Sequence, residues 1–154
     1  METFTGIGHW AIRARNIDTV LDFYTNKLGF AEMFRLFDDN GALWIVYLRV
    51  TDTQFLELFP NGVGERALPR EAVGLNHICL TVANIDEAIA RLTERGIPLT
   101  RPLITQVDGN RQAWIEDPDG NRIELMEMAP DGMQAQAIAR LRQEMVTTAS
   151  NSTR

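Results

Sequence analysis

"GIGHWAIRARNID" (residues 6–18) returns sixty-eight residues later as "GLNHICLTVANID" (residues 74–86). Aligned without a gap, the two stretches share Gly6/Gly74, His9/His77, Asn16/Asn84, Ile17/Ile85 and Asp18/Asp86. The chain has only two histidines, and both stand at the same place in this repeat. Self-similarity at a fixed separation is the mark of a duplicated structural unit. The sequence is therefore read as two copies of one module.

The match continues outward. Val20, Leu21, Tyr24 and Leu28 recur at helical spacing in the first copy, and Ala88, Ile89 and Leu92 in the second. Asp18 and Asp86 are the expected N-caps, since a carboxylate accepts the free amides of a first turn. Gly29 and Gly96 follow the last periodic residues, where a left-handed residue closes a helix. Three strands are then expected in each copy: "AEMFRLF", "ALWIVYLRV" and "QFLELF" in the first, "PLTRPLITQ", "RQAWIED" and "RIELMEM" in the second. The clusters "DDNG" and "VDGN" read as hairpin turns, and "DPDG" as a turn in which Pro118 fixes φ and Gly120 tolerates φ > 0. The expected fold is α+β: two paired βαβββ modules, residues 6–60 and 74–129, in a single domain spanning 1–130. Residues 60–73 form a linker. A further helix is expected over 131–146, with Ile138, Leu141 and Met145 on one face, followed by a disordered tail, "TTASNSTR", over 147–154.

Composition narrows the function classes. The 154 residues are 45% hydrophobic and 23% charged, an ordinary globular mix. With 15 basic against 21 acidic side chains, the net charge of −6 offers no excess to neutralise phosphates, which argues against nucleic acid and anionic membranes as partners. The single cysteine, Cys79, makes no internal disulfide and fits a reducing, cytoplasmic setting. The opening "METFTGIGHW" has no basic region before a long apolar run, so no signal peptide is expected.

The repeat also carries chemistry. "FLELF" holds Glu57 and "RIELMEM" holds Glu124, each on the last strand of its module. The separation from histidine to glutamate is 48 residues in the first copy (9 to 57) and 47 in the second (77 to 124). A carboxylate inside an apolar strand is costly to bury, and a metal ion offsets that cost. One imidazole and one carboxylate from each module make an N₂O₂ set suited to a divalent cation of borderline hardness. Alternation along the strands would put Ala11 and Arg13 on the face of His9, Cys79 and Thr81 on that of His77, Phe55 and Phe59 beside Glu57, and Arg122 and Met126 beside Glu124. Such a partly apolar lining with a few cations suits a small-molecule site. Cys79 is expected as a small core filler, and Trp10, Trp44 and Trp114 as core or pocket wall.

At these residues the chain resembles the vicinal oxygen chelate superfamily, the glyoxalase/bleomycin-resistance fold. The resemblance covers residues 7–128 and is carried by "GHWAI", "NIDTVLDFYTNKLGF", "FLELF", "LNHICLTVANIDEAI" and "DPDGNRIELME". It implies paired βαβββ modules whose strands curl around a metal site. Extradiol dioxygenases and fosfomycin-resistance proteins of this superfamily typically use two His and one Glu, and methylmalonyl-CoA epimerases typically have Gln where Glu57 stands. Bleomycin-binding members lack the ligands. The set His9, Glu57, His77 and Glu124 looks like glyoxalase I, which isomerises the hemithioacetal of methylglyoxal and glutathione. Arg13 and Asn61 stand where that enzyme binds the glutamyl part of glutathione. "TQVDGNRQAW" replaces its usual Lys/Gly-rich loop.

The resemblance implies one divalent ion per chain (Ni, Zn, Co or Mn, with Fe less expected). It implies proton transfer next to a carbonyl through an enediolate, with Glu124 as base and Glu57 as ligand or second base. It also implies a homodimer, since many members complete their pockets between chains. The alternatives are a dioxygenase or epimerase of the same superfamily acting on another small oxygenated substrate, and a protein that binds a small molecule without chemistry.

Overall fold

The computed structural model describes residues 3–151. The chain forms two compact units: residues 1–74 with 116–121, and residues 75–115 with 122–154.

In the first unit, β1 (His9–Arg13) leads into α1 (Ile17–Asp22) and then β2 (Ala31–Phe37), β3 (Leu43–Arg49) and β4 (Phe55–Phe59). The sheet order is β1-β4-β3-β2. β1 runs parallel to β4, with Ala11 opposite Glu57, and the other pairings are antiparallel. Val46, Leu48, Leu56 and Leu58 are fully buried together with Val20 and Tyr24 of the helical segment. The period-two alternation of β4 thus turns Leu56 and Leu58 to one face and Glu57 to the other.

The second unit repeats the plan. β5 (Ile78–Thr81) is followed by α2 (Ile85–Glu94), β6 (Arg101–Thr105), β7 (Arg111–Glu116) and β8 (Arg122–Glu127). The sheet order is β5-β8-β7-β6, with β5 parallel to β8 and Cys79 opposite Glu124. Ile123 and Leu125 are buried with Ile85 and Leu92 of α2, leaving Glu124 on the opposite face. The two βαβββ modules read from the repeat are present.

Several local expectations are corrected. The helix N-caps are Asn16 and Asn84, not Asp18 and Asp86. Both asparagines are extended, and their side-chain oxygens accept from Thr19 N and from Asp86 N and Glu87 N. The two aspartates fall in the first turn, where negative charge meets the positive end of the helix. α1 does not run smoothly to Gly29: residues Phe23–Lys27 form a π-helical turn. Gly29 (φ 86°) and Gly96 (φ 70°) do take the left-handed conformation expected of them. His77 lies one residue before β5 rather than on it.

The last helix, α3 (Met133–Asn151), begins later than residue 131 and runs into the segment expected to be disordered; residues 152–154 lie outside the described part. Its start is held by the fully buried Asn110. The Asn110 side-chain nitrogen donates to Gln134 Oε1 (2.7 Å) and its oxygen accepts from Ala129 N (3.0 Å). Ile138, Leu141 and Met145 are exposed. Among the described residues no helix is long and apolar enough to cross a membrane.

The turn at residues 116–121 groups with the first unit although it precedes β8 in sequence. The buried Tyr24 hydroxyl donates to Asp117 (3.1 Å), Arg15 N donates to Asp119 (2.9 Å), and Ala67 N donates to Asp119 O (2.8 Å). Arg66 of the linker pairs with Glu116. Asp117 also accepts from Asn121 Nδ2 and from the amides of Asp119 and Asn121. Burial nevertheless raises its carboxyl above the ordinary range, against the lowering effect of these bonds.

Candidate functional site

Each unit brings one histidine to one glutamate. In the first, His9 Nε2 is 3.7 Å from Glu57 Oε1; in the second, His77 Nε2 is 2.9 Å from Glu124 Oε2. Both carboxylates are nearly enclosed, with side chains 11% and 8% exposed, whereas His9 is 53% and His77 33% exposed. The four residues singled out by the repeat therefore stand as two His–Glu pairs. Among the described residues no group of three or more His, Cys, Asp or Glu side chains is gathered for a metal.

The pairs differ in their supports. On the first sheet, Tyr47 lies directly across from Glu57 in the pairing of β3 with β4. Interaction with the nearby Glu57 carboxyl, then desolvation, raises the phenol above its ordinary range. The Tyr47 ring is stacked on Phe34 of β2, with centroids 4.5 Å apart and planes 25° apart. On the second sheet the imidazole is held instead. His77 Nδ1 lies 3.0 Å from Asn76 Oδ1, and Trp114 meets the ring edge-on at 4.8 Å. Arg101 sits over the same indole at 5.4 Å. Tyr47 and Trp114 each precede their glutamate by ten residues. Comparing the copies beyond their histidines and glutamates would have picked out both; sequence reasoning missed Tyr47 altogether.

His77 also has a chemical peculiarity. Its two ring nitrogens face two oxygen acceptors, one from Asn76 and one from Glu124. A nitrogen lone pair cannot face an acceptor without a proton or a cation between them. A neutral imidazole that gives its Nδ1 proton to an amide oxygen leaves Nε2 available to a metal, with the partner fixing the ring orientation. Imidazole nitrogen and carboxylate oxygen are the donor types that suit a divalent cation of borderline hardness.

Cys79 shares the face of Glu124 but is exposed rather than a core filler. Desolvation, then the nearby Glu124 charge, pushes its thiol up to about 11. Trp44 is also exposed and so is not core; it lies where the β2–β3 register is irregular, between Leu43 opposite Phe37 and Ile45 opposite Leu36.

Arg13 and Asn61 come to one edge of the first unit. Arg13 Nη1 donates to Pro60 O (2.8 Å), next to Asn61, and its guanidinium lies 5.3 Å from the Phe59 ring centre. Asn61 takes a left-handed φ of 62°, uncommon for a residue with a side chain. Gly62 then packs on the Ala14 backbone, where an added Cβ would come within 3.0 Å, and its amide donates to Ala14 O (2.8 Å).

The chain is similar to known proteins over most of its length. The family model described as the Glyoxalase/Bleomycin resistance protein/Dioxygenase superfamily matches residues 6–125. A Bacillus subtilis protein, YwkD, described as uncharacterised, is 32% identical over 123 residues, covering 79% of this chain and 95% of that relative. A lactoylglutathione lyase of Neisseria meningitidis is also 32% identical over 123 residues, covering 77% of this chain and 88% of the enzyme. The crystal structure of a glyoxalase family protein from Enterococcus faecalis superposes with a TM-score of 0.72 at 33% identity, covering 82% of this chain and all of that one.

Proposed function

The chain belongs to the glyoxalase/bleomycin resistance protein/dioxygenase superfamily, and from that membership we propose a divalent-metal-dependent lyase of the glyoxalase I type, which moves a proton beside a carbonyl. The observation that carries the reading is the pair of enclosed glutamates, one per unit, each facing the unit's single imidazole. Relatives named lactoylglutathione lyase support it. The first candidate substrate is the hemithioacetal of methylglyoxal and glutathione.

In this reading His9, Glu57, His77 and Glu124 hold one divalent ion per chain, with Ni, Zn, Co or Mn favoured over Fe. When bound, the ion supplies polarisation of the substrate oxygens and offsets the charge that builds on them. The protein's own residues do the rest. Glu124 takes the proton from the carbon beside the carbonyl and returns it to the neighbouring carbon. Glu57 stays in place as a ligand. Arg13 binds a carboxylate of the substrate through a charge-assisted bond, with Asn61 beside it. We extend the proposal to a homodimer, to which the exposed Ile138, Leu141 and Met145 of α3 offer an apolar contact.

The test is direct. Protein purified without chelator is analysed for bound elements. It is then loaded separately with Ni²⁺, Zn²⁺, Co²⁺ and Mn²⁺ and assayed for isomerisation of the hemithioacetal, and with Fe²⁺ and assayed for oxygen uptake. Turnover with at least one ion is expected. A fully loaded protein inert with all four would sink the glyoxalase I reading, and oxygen uptake confined to the Fe²⁺-loaded protein would replace it with a dioxygenase.

A further inference from the structure

The two copies of the module end their last strands differently. In both, the residue after the first strand bonds back to the last one: Ala14 N donates to Phe59 O (2.7 Å) and, at the equivalent place, Val82 N donates to Met126 O (2.9 Å). Beyond this point the copies diverge. In the second unit the chain runs on, and Ala129 N donates to the Asn110 side chain (3.0 Å). In the first unit it turns back. Asn61 takes a φ of 62°, and Gly62 N donates to Ala14 O (2.8 Å). The reversal is tight, since a Cβ at Gly62 would stand 3.0–3.1 Å from the backbone of Arg13 and Ala14. It brings the Pro60 carbonyl to the Arg13 guanidinium, whose Nη1 donates to it at 2.8 Å. Thr81 takes the place of Arg13 in the second unit, opposite Met126 as Arg13 is opposite Phe59. Among the described residues, the one left-handed residue with a side chain thus stands in the copy that has a cation to hold.

We propose that Asn61 is a positioning residue for Arg13 and acts through its backbone: its left-handed conformation aims the Pro60 carbonyl at the guanidinium, which is thereby held in place for a substrate carboxylate. The proposal rests on the reading of Arg13 as the group that binds that carboxylate, and it needs no metal. A guanidinium has five N–H donors in a fixed fork and no acceptor. One donor is taken by Pro60, and the group lies 5.3 Å from the Phe59 ring centre. Arg13 is otherwise exposed, so its remaining donors are open to a ligand. A fork fixed in advance loses less freedom on meeting a carboxylate than a mobile side chain does. The left-handed conformation comes readily to glycine, tolerably to asparagine, and hardly at all to a β-branched residue. Substitutions at residue 61 can therefore separate the backbone from the side chain.

The experiment compares the full-length, metal-free parent with Asn61→Gly, Asn61→Val and Arg13→Gln. Two quantities are read. One is the set of NMR signals from the Arg13 guanidinium, identified by their loss in Arg13→Gln. The other is the affinity for S-methylglutathione, a carboxylate-bearing probe whose thiol is blocked. Thermal unfolding checks that each variant folds, and Asn61→Ala, a milder strain, replaces Asn61→Val should the latter fail to. Glycine keeps the turn, so Asn61→Gly should retain the restrained Arg13 signals. Asn61→Val should release them to the averaged position of a free arginine. It should also bind the probe at least about fivefold more weakly than Asn61→Gly does, the lower end of what a strained backbone costs. Arg13→Gln should bind it more weakly still. Restrained Arg13 signals in folded Asn61→Val overturn the proposal. So do equal losses of affinity in Asn61→Gly and Asn61→Val, which would put the Asn61 side chain itself on the ligand. A probe that binds parent and Arg13→Gln alike, or binds neither, overturns the carboxylate reading beneath the proposal, and is told apart because the Arg13 signals then still follow the Asn61 backbone.

Discussion

The His9–Glu57 half and the His77–Glu124 half are built on equivalent strands in the same register, yet they hold their imidazoles differently. In the first, the imidazole is half-exposed and 3.7 Å from its carboxylate; in the second, the imidazole is flanked by Asn76 and Trp114 and lies 2.9 Å from its carboxylate. A duplication supplies two identical donor pairs. Their outer partners can then drift apart, because a metal asks only that the donors arrive, not that each be fixed in the same way. The difference teaches where to look for division of labour: not in the paired histidines and glutamates, which are symmetric, but in the residues around them.

The largest expected effect tests that division directly. Glu124→Gln should lower kcat by about 10²–10⁴, the usual worth of a general base, while retaining much of the metal, since an amide oxygen still approaches the ion. Glu57→Gln should instead weaken metal binding more than Glu124→Gln does. Equal behaviour of the two variants in both assays would erase the proposed asymmetry.

Next come the imidazoles. His77 is pre-oriented and His9 is not, so His77→Ala should weaken Ni²⁺ or Zn²⁺ binding more than His9→Ala does. The loss at His77 should exceed the roughly 10–100-fold typical of outer-partner changes. Parent-like metal content in His77→Ala would remove it from the ligand set; a larger loss at His9 would reverse the order of the halves.

The halves also differ in the turn that precedes their last strand. In the first, residues 50–54 close locally, with Val50 N and Thr51 N donating to Gln54 O. In the second, the 116–121 turn sends its bonds to Tyr24, Arg15 and Ala67. Tyr24→Phe leaves the buried Asp117 one donor short and should cost about 1–3 kcal/mol in urea-induced unfolding at neutral pH. The sign of its pH dependence follows from Asp117, whose carboxyl is raised chiefly by burial and partly restrained by the Tyr24 bond. A raised carboxyl contributes stability that is present below its ordinary pKa and lost as the pH climbs through its folded value. Removing the restraint raises it further, so the gap between parent and variant should be smallest below a pH of about 4 and widest at neutrality. A gap that grew on acidification would contradict this account.

The sequence carried the architecture because duplication amplifies weak signals. One strand histidine says little, but two at equivalent positions, each followed at nearly equal distance by a strand glutamate, specify module, sheet and donor pair together. What escaped was of two kinds. Asn16 and Asn84 lost the cap assignment to Asp18 and Asp86 because both residue types cap well, and only the extended backbone at 16 and 84 decides between them. Tyr47 and Asn76 escaped because their neighbours across the sheet and beside the ring depend on register and not on residue type. The grouping of 116–121 with the first unit depends on a bond spanning 93 residues, which no local pattern announces.

The smallest effect is expected where the halves differ without consequence. Cys79 occupies the position opposite Glu124 that Ala11 occupies opposite Glu57. Its exposure leaves no packing to lose, and among the described residues it joins no group of three donors. Ala11 shows that a methyl group satisfies the backbone and the pairing at this point of the module. Cys79→Ala therefore makes the second face more like the first, and should leave unfolding free energy within about 0.5 kcal/mol, as is usual for exposed substitutions. Metal affinity should change by less than about twofold on the same scale. A sharp fall in Zn²⁺ affinity with Ni²⁺ or Mn²⁺ binding unchanged would mean that the thiol is a donor after all. The second half would then differ from the first in its ligands and not merely in their supports.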